Sequence, residues 1–245
     1  MRVAEGAQHA GEGGSGSPES AAGPGKPVHG VREPTREYGS PEDPLEGQGE
    51  SGPLGSTRYF DTAEGRLSYA ELSERLAVPL VGILDEILQT NPDEIKITSE
   101  WLCARHKRLA GHLFPDWAGR FRDMNVQIGA HVPPPFYEVP ILMRQFCDDL
   151  AERLQHADAT VDKVTDLLVW TDWRFQWIHP FKDFNGRIGR VLLAALLFKL
   201  RLPHVETAPL DDEKQRIYLV ALHSADAGNL ETLKEVWFQR LLDAL

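Results

Sequence analysis

Apolar side chains recur at helical spacing through most of the chain after about residue 58. Ser68 and Glu71 form a capping box, which predicts a helix that begins there and continues to about Leu76. Residues 81–88 repeat the helical pattern beyond Pro79, so this proline is predicted at a break or in a first helical turn. The first ordered part of the chain is therefore expected to be helical.

The same spacing continues to the end of the chain. It predicts helices over residues 99–112, 139–156, 162–178 and 187–200, one capped by Asp211 or Asp212 that ends near Ala225, and one capped by Asn229 that ends near Leu242. Segment 187–200 is apolar on nearly every face after its first turn, which is typical of a helix buried at the centre of a domain. Residues 123–132 alternate polar and apolar side chains, which predicts a short strand or hairpin. The fold class expected is all-α with a small β-hairpin.

Residues 1–56 differ in composition from the rest of the chain. They contain 13 of the 21 glycines, 7 of the 17 prolines, nine acidic and four basic residues, and Tyr38 as their single aromatic residue. Such a segment cannot bury enough apolar surface to offset its ordering entropy, and we expect it to be disordered. The predicted organisation is a tail over 1–56, an N-terminal helical segment over 57–92 and a core over 93–245.

Charge and cysteine content narrow the classes of partner. The net charge is -11, which argues against nonspecific nucleic-acid binding, because that needs a basic face. No run of 18 apolar residues occurs, so neither a membrane span nor a membrane partner is expected. The N-terminus lacks an apolar signal core, and Cys103 and Cys147 fit neither a metal framework nor a disulfide framework. These features predict a cytoplasmic protein. His106 and His112 are six apart, which is poor metal-ligand spacing, and are expected at the surface or in packing.

The stretch His179 to Arg190 (HPFKDFNGRIGR) joins two of the predicted helices and carries the candidate chemistry. Pro180 disfavours helical geometry at His179, so the first helix should end there. The turn then leads into a helix N-terminus, where N–H groups and the helix dipole favour an anion. Arg187 and Arg190 are three apart and share a helix face, so both can reach one phosphate group.

Two further residues of this stretch suit a reaction at a phosphate. Asp183 offers hard oxygen ligands of the kind that Mg²⁺ takes when it bridges phosphates. His179 is the natural general base, because the ordinary pKa of histidine lies near neutrality. The stretch therefore predicts a polyphosphate site that activates an attacking group.

This stretch resembles the signature of the Fic-domain family, His-Pro-Phe-x-Asp/Glu-Gly-Asn-Gly-Arg-x-x-Arg. The family mostly transfers AMP from ATP to a hydroxyl side chain of a protein. The resemblance implies His179 as the base for that hydroxyl, Asp183 for magnesium, Asn185 for the phosphates near the transferred group, Gly186 in the backbone anion hole, Arg187 for the β-phosphate and Arg190 for the γ-phosphate. It covers about Tyr59 to Leu245.

Phe184 departs from that pattern, since the family usually has Gly or Ala there. It is placed with the nucleotide-binding residues, where it could change the base or nucleotide preference. A bulky residue takes positive φ only at a cost, so the loop is expected to adopt a conformation open to non-glycine residues.

Two more segments resemble features of the family. The run containing Asn125, Val126, Gln127 and Ile128 resembles the flap, a hairpin that holds a target segment as an added strand beside the base. Glu64-Gly65 resembles the motif of an N-terminal inhibitory helix, whose glutamate pairs with the last arginine of the signature, here Arg190. Phe60 departs from that motif, and a simple turn before Ser68 is the alternative interpretation.

The function predicted from these residues is that of a protein adenylyltransferase (AMPylator) with ATP as substrate, Mg²⁺ as cofactor, a hydroxyl-bearing protein as target and inhibition by Glu64. A homodimer is among the assemblies allowed. Alternatives are transfer of UMP or another nucleotide, removal of AMP at the same site, and a catalytically weak nucleotide-binding module. Transfer of the terminal phosphate is disfavoured, because that branch has Lys where this chain has Gly186. A P-loop NTPase is disfavoured, because no GxxxxGK[ST] occurs.

Overall fold

A computed structural model describes residues 37–38, 59–128, 131–156, 160–207 and 211–244, all within one compact unit, Thr35–Leu245. The described residues are mainly helical, and the predicted fold class is confirmed. The helices are α1 Tyr69–Gln89, α2 Ser99–Ala110, α3 Val139–His156, α4 Val161–Ile178, α5 Asn185–Lys199, α6 Asp212–Asp226 and α7 Glu231–Ala244, with short 3-10 helices at Pro92–Glu94 and Phe136–Glu138. In the part of the chain that is described, no helix is both long and apolar enough to cross a bilayer.

Four short strands form two separate pairs. The strands are β1 Glu37–Tyr38, β2 Tyr59–Thr62, β3 Gly65–Ser68 and β4 Gln127–Ile128. Strands β2 and β3 form an antiparallel hairpin before α1, in which Phe60 pairs with Leu67 and both side chains are buried. Strand β1 pairs in parallel with β4. Of residues 1–56, which are predicted to be disordered, the structure describes only β1. The other residues of this segment lie outside the described part of the chain.

Helix α1 continues through Pro79, so the predicted break at this proline is wrong. The capping box at its start is confirmed, since Ser68 and Glu71 exchange hydrogen bonds. A proline inside a helix removes a backbone hydrogen bond and costs about 3 kcal/mol. Residues on both sides of it are buried on one face: Leu72, Leu76, Ile83 and Ile87. Burying four such side chains contributes more than the proline costs, because each adds roughly 1.5–3 kcal/mol.

Helix α5 lies at the centre of the molecule, as its apolar sequence predicts, and packs against α1, α2 and α4. Gly189 faces α4, since a Cβ at this position would lie 3.4 Å from Phe175 Cδ1 and would require only the flexible end of Gln176 to move. The loop between α4 and α5 is thereby held between two closely packed helices, and this loop carries the candidate chemistry.

Candidate active site

His179 lies at the C-terminal end of α4, where the helix stops as predicted. Its backbone is left-handed (φ 48, ψ 63), and its N–H donates to the Phe175 carbonyl at 3.1 Å. The following residue, Pro180, excludes continuation of the helix. The side chain of His179 is 4% exposed, so the imidazole is held inside the site rather than at the surface.

The surroundings of His179 keep its imidazole neutral. Burial lowers the pKa of His179 to about 3, and the positive charges of Arg122 and His131 act in the same direction. A hydrogen bond with the Gln176 backbone opposes this shift. Since one ring nitrogen donates to that carbonyl, the other nitrogen of the neutral ring keeps its lone pair. His179 is therefore in the protonation state that a general base needs at neutral pH.

Phe184 has φ 61 and ψ 20, so the expected loop conformation that avoids positive φ is wrong. The left-handed region costs an L-residue roughly 1–2 kcal/mol. The phenyl ring is nearly inaccessible and lies among the rings of His106, Phe114 and Trp117, at centroid distances of 6.3, 5.5 and 5.8 Å. Burying a phenylalanine contributes about 1.5–3 kcal/mol, which offsets the strained backbone.

The loop between His179 and α5 is fastened by its own polar side chains. Asn185 Oδ1 accepts the Phe181 N–H at 2.8 Å, and Asn185 Nδ2 donates to the Phe181 carbonyl at 2.9 Å. Asp183 Oδ1 accepts the Phe184 N–H at 2.8 Å. Asn185 is fully buried, so its amide closes the turn. This position differs from the expectation that the Asn185 side chain faces the phosphates.

His106 reaches the same loop from α2 and was not predicted as a site residue. Its Nδ1 accepts the Gly119 N–H at 2.8 Å, so Nε2 carries the proton and donates to the Asp183 carbonyl at 3.1 Å. The ring stacks on Phe181, with a centroid distance of 4.0 Å. Burial lowers the pKa of His106 to about 4, so this neutral tautomer persists at physiological pH. No spacing in the sequence reveals this contact, because it joins residues 77 apart.

Arg122 is a second site residue that the sequence did not single out. The guanidinium is buried and donates to four backbone carbonyls, those of His179 (2.9 Å), Met124 (3.0 Å), Ile178 (3.4 Å) and Pro134. The Arg122 N–H also donates to the Pro180 carbonyl at 2.9 Å. Burial lowers the pKa of Arg122 to about 10, so the group stays charged at neutral pH. It connects the segment before β4 to the backbone at the start of the loop between α4 and α5.

The two signature arginines leave the first turns of α5 toward different neighbours. Arg187 is buried, donates to Ser73 Oγ of α1 at 3.2 Å and lies 5.6 Å from the Phe184 ring centroid. Arg190 is half-buried, and its charge lowers the pKa of Asp172 against the larger opposing effect of burial. The N-cap residue of α5 is Phe184, and its side chain makes no capping hydrogen bond. The first-turn N–H groups of Asn185 and Gly186 and two cations therefore make this end of α5 strongly electropositive.

The predicted flap is a tight hairpin beside His179. Strand β4 contains Gln127 and Ile128, and Ile128 exchanges backbone hydrogen bonds with His131 at 2.9 and 2.8 Å. Asn125 Oδ1 accepts the Phe136 N–H at 3.0 Å and fixes the base of the hairpin, whereas Val126 is half-buried. The short strand or hairpin predicted from alternation is confirmed.

His131 fastens the second side of the hairpin. Its Nδ1 lies 3.0 Å from Asp226 Oδ2, and its Nε2 lies 3.1 Å from the Trp177 carbonyl. Both neighbours are acceptors, so this arrangement favours the protonated ring, which donates from both nitrogens. Burial alone would lower the pKa of His131, but the two hydrogen bonds and the Asp226 charge together raise it.

Glu64 does not pair with Arg190, and no helix is present at the predicted inhibitory motif. Glu64 lies in the turn between β2 and β3 and forms an ion pair with Arg75 at 2.6 Å. The turn is formed because the Thr62 hydroxyl donates to the Gly65 carbonyl and accepts the Glu64 N–H. Gly65 takes φ 105, which explains the Glu-Gly pair at this point. Glu64 therefore lies in a turn before Ser68, and its inhibitory role stays a prediction.

Asp183 is the residue that could hold a divalent cation. It is buried, and one of its oxygens already accepts a backbone N–H, so its orientation is fixed. The described residues contain no group of three or more His, Cys, Asp or Glu side chains that could form a complete metal site. A single carboxylate fits Mg²⁺ nonetheless, because this ion usually takes one or two carboxylates and completes its shell with phosphates and water.

The region that contains this site is similar to known proteins. Residues 96–197 match the model of the Fic/DOC family, a range that includes α2, the flap, His179 and most of α5. The chain is similar to the protein adenylyltransferase Fic of Nematostella vectensis (32% identity over 109 residues, 44% of this chain and 25% of the relative). It is also similar to the protein of the same name from Aedes aegypti (31% over 130 residues, 53% of this chain and 25% of the relative). The chain thus matches about a quarter of the length of each of these relatives.

Solved structures show the same fold. Fic-1 from C. elegans superimposes with a TM-score of 0.55 at 21% identity. The match covers 69% of this chain and 49% of the Fic-1 chain. The BepC protein from Bartonella tribocorum, solved with bound AMPPNP, superimposes with a TM-score of 0.61 at 16% identity. That match covers 76% of this chain and 93% of BepC.

Proposed function

Because residues 96–197 of this chain form a Fic domain, we propose that the protein is an adenylyltransferase that transfers AMP from ATP to a Ser, Thr or Tyr hydroxyl of a protein target. Relatives that match the chain in part bear the name protein adenylyltransferase Fic. The observation that carries the proposal is the position of His179. A neutral, buried imidazole lies at one end of a short loop, and an electropositive helix start lies at the other.

The reaction follows from these positions. The triphosphate binds at the N-terminus of α5, where Arg187 and Arg190 neutralise the β- and γ-phosphates. The target hydroxyl attacks the α-phosphorus, the new O–P bond forms, and pyrophosphate leaves with the electrons of the broken P–O bond. The lone-pair nitrogen of His179 takes the hydroxyl proton, a contribution of typically a hundred- to ten-thousandfold. The fixed donors contribute more, because they stabilise charge without reorganisation.

A bound nucleotide would also raise the pKa of His179. A base whose pKa is about 3 is too weak to be efficient at neutral pH. The negative charges of a bound triphosphate favour the protonated imidazole and raise that pKa. The base therefore becomes effective when the nucleotide is in place.

Magnesium and an adenine nucleotide belong to the same proposal. Asp183 would hold Mg²⁺, which supplies positive charge that neutralises the phosphates. BepC, which shares the fold, was solved with bound AMPPNP, and this supports adenine as the base of the nucleotide. Gly186 brings no side chain to the first turn of α5, where the branch that transfers the terminal phosphate has Lys, and this supports nucleotide transfer.

Inhibition by Glu64 would require its ion pair with Arg75 to break. Both side chains are substantially exposed, 38% and 57%, and exposed ion pairs contribute little to stability. Exchange of Glu64 from Arg75 to Arg190 is therefore the step that the proposed inhibition depends on.

A cytoplasmic location is also proposed. Cys103 and Cys147 form no disulfide, and burial raises the pKa of each thiol to about 11. Thiols of this kind are nearly all protonated at neutral pH and suit a reducing compartment.

The test is nucleotide transfer by the full chain to proteins of a cell lysate, with α-labelled ATP, UTP, GTP or CTP and Mg²⁺. We expect ATP to be the preferred donor and His179→Ala to abolish labelling. His112→Ala is the matched control, since His112 is exposed, and should retain full labelling. In the same assay Glu64→Gly should raise labelling. Undiminished transfer by His179→Ala would overturn the role of the base, and equal labelling by Glu64→Gly and the parent would overturn the inhibition.

A further inference from the structure

The strand β4 of the flap has two edges, and each is paired within this chain. On one edge, Ile128 exchanges both of its backbone hydrogen bonds with His131. On the other edge lies β1, with Glu37 opposite Gln127 and Tyr38 opposite Ile128. The edge at which an extended segment could be added to the flap is therefore taken by residues 37–38.

The backbone alternation of a strand identifies the atoms that hold this segment. Consecutive residues direct their N–H and C=O groups to opposite edges. Since both groups of Ile128 face His131, those of Gln127 face β1. In a parallel pair such a residue bonds to the neighbours of the residue opposite, so the Gln127 carbonyl accepts the N–H of Tyr38 and the Gln127 N–H also faces this strand.

The flap edge lies directly beside the catalytic loop. Arg122, which precedes β4, donates to the carbonyls of His179 and Pro180, and His131, which follows it, contacts the Trp177 carbonyl at 3.1 Å. Both ends of the flap are therefore fixed to the backbone around the base. A target that added a strand to the flap would need this edge, which β1 occupies.

We propose that β1, Glu37–Tyr38, is an internal occupant of the flap and competes with protein targets for the Gln127 backbone. The inference rests on the proposed function, because a target that adds a strand to the flap must first displace β1. The segment and the flap are parts of one chain, so the occupant is present at a high effective concentration whatever the protein concentration. Strand pairing depends on main-chain groups, so the competition makes little demand on the sequence of the target.

The variants Tyr38→Pro and Tyr38→Phe test this proposal as a matched pair. Proline removes the N–H that donates to Gln127, whereas phenylalanine keeps it. Amide hydrogen exchange of Gln127 reports occupancy without any requirement for activity. We expect a protected Gln127 amide in the parent and in Tyr38→Phe, and loss of that protection in Tyr38→Pro. An unprotected Gln127 amide in the parent, or equal protection in all three proteins, would overturn the proposal.

Labelling of lysate proteins with α-labelled ATP gives the second measurement. Release of the flap edge should raise labelling several-fold in Tyr38→Pro but not in Tyr38→Phe. Equal labelling by both variants, in a parent whose transfer depends on His179, would overturn the competition. Failure of the proposed function gives a different result, since no protein would then show His179-dependent labelling while the exchange pattern of Gln127 stayed as expected.

Discussion

Phe184 shows how an apolar side chain can hold a backbone conformation that its own Cβ disfavours. The residue sits at φ 61 immediately before α5, where the chain must turn sharply into the first N–H groups of the helix. Its ring is anchored in an aromatic cluster from α2 and the segment that follows it. The strain and the packing act on the same residue with opposite signs, so substitution separates them.

Substitutions at Phe184 should therefore reverse the usual order of alanine and glycine. Phe184→Ala loses the buried ring, about 3–5 kcal/mol, and keeps the left-handed strain. Phe184→Gly loses the ring as well but relieves roughly 1–2 kcal/mol of strain. We expect the glycine variant to be the more stable of the two by about 1 kcal/mol in urea unfolding. An alanine variant at least as stable as the glycine variant would contradict the account of this turn.

At this scale the sequence identifies the residue types of the site but not their contacts. His179, Asp183 and the two arginines are recognisable because they follow one another within twelve positions of the chain. His106 and Arg122 are not, since each acts through backbone carbonyls of a segment distant in sequence. The role of Asn185 toward phosphates stays a prediction, and its hydrogen bonds to Phe181 could not be predicted from the sequence. The sequence shows which side chains are present, but it does not show which backbone groups of distant segments they contact.

The flap contains a histidine whose protonation stabilises it. Its imidazolium, His131, donates to Asp226 and to the Trp177 carbonyl, and its positive charge also lowers the pKa of His179. The pKa of His131 is raised above its ordinary 6.5 in the folded protein. The stabilisation is therefore complete below about pH 6.5 and is lost as the pH rises through the folded-state value.

The pH dependence of unfolding should depend on this one side chain. We expect the thermal midpoint of the parent to fall by a few degrees as the pH rises above 6.5, because loss of one charged hydrogen bond costs on the order of 1 kcal/mol. His131→Gln cannot titrate, so its midpoint should be lower at pH 6 and change less with pH. His112→Gln, at an exposed position, should retain the parental dependence. A parental slope in His131→Gln would show that another group is responsible. The pKa values of His106 and His179 are lowered from 6.5 to about 4 and about 3, so these rings lower stability as the pH falls below about 6.5; they are present in the parent and in His131→Gln alike, and the difference between the two proteins isolates His131.

Helix α1 illustrates where prediction of elements reaches its limit. Its capping box at Ser68 is a local signal and is read correctly. Continuity through Pro79 is not local, because it depends on burial of residues on both sides against the rest of the core. The preceding hairpin of β2 and β3 is not predicted either, for a different reason. Its strands have four residues each, and strands this short contain too little alternation to be recognised.

At the scale of the whole molecule, Asp172 joins three helices around one buried carboxylate. Its two oxygens accept the Tyr218 hydroxyl of α6 at 2.9 Å and Trp237 Nε1 of α7 at 3.0 Å. Burial raises the pKa of Asp172, and the charges of Arg240 and Arg190 oppose that shift. Through Arg190 the same cluster reaches the candidate phosphate site, so the packing of α6 and α7 is coupled to α5.

Replacement of this carboxylate should weaken the whole fold. In Asp172→Asn the amide presents N–H groups to one of two donors, which leaves a buried donor unsatisfied at a cost of about 1–3 kcal/mol. Urea unfolding should show a lower midpoint with an unchanged slope. Asp166→Asn is the control on the same helix, since its ion pair with Lys234 is 59% exposed on the carboxylate side and contributes little. Equal stability of the two variants would contradict a structural role for the Asp172 cluster.

Arg122 contacts the flap and the catalytic loop only through peptide carbonyls among the bonds described above. A carbonyl is the same whichever amino acid bears it. Side chains of the flap can therefore be exchanged while the alignment of the His179 imidazole is preserved. This one guanidinium would thus allow the sequence of the flap to vary without displacing the candidate base.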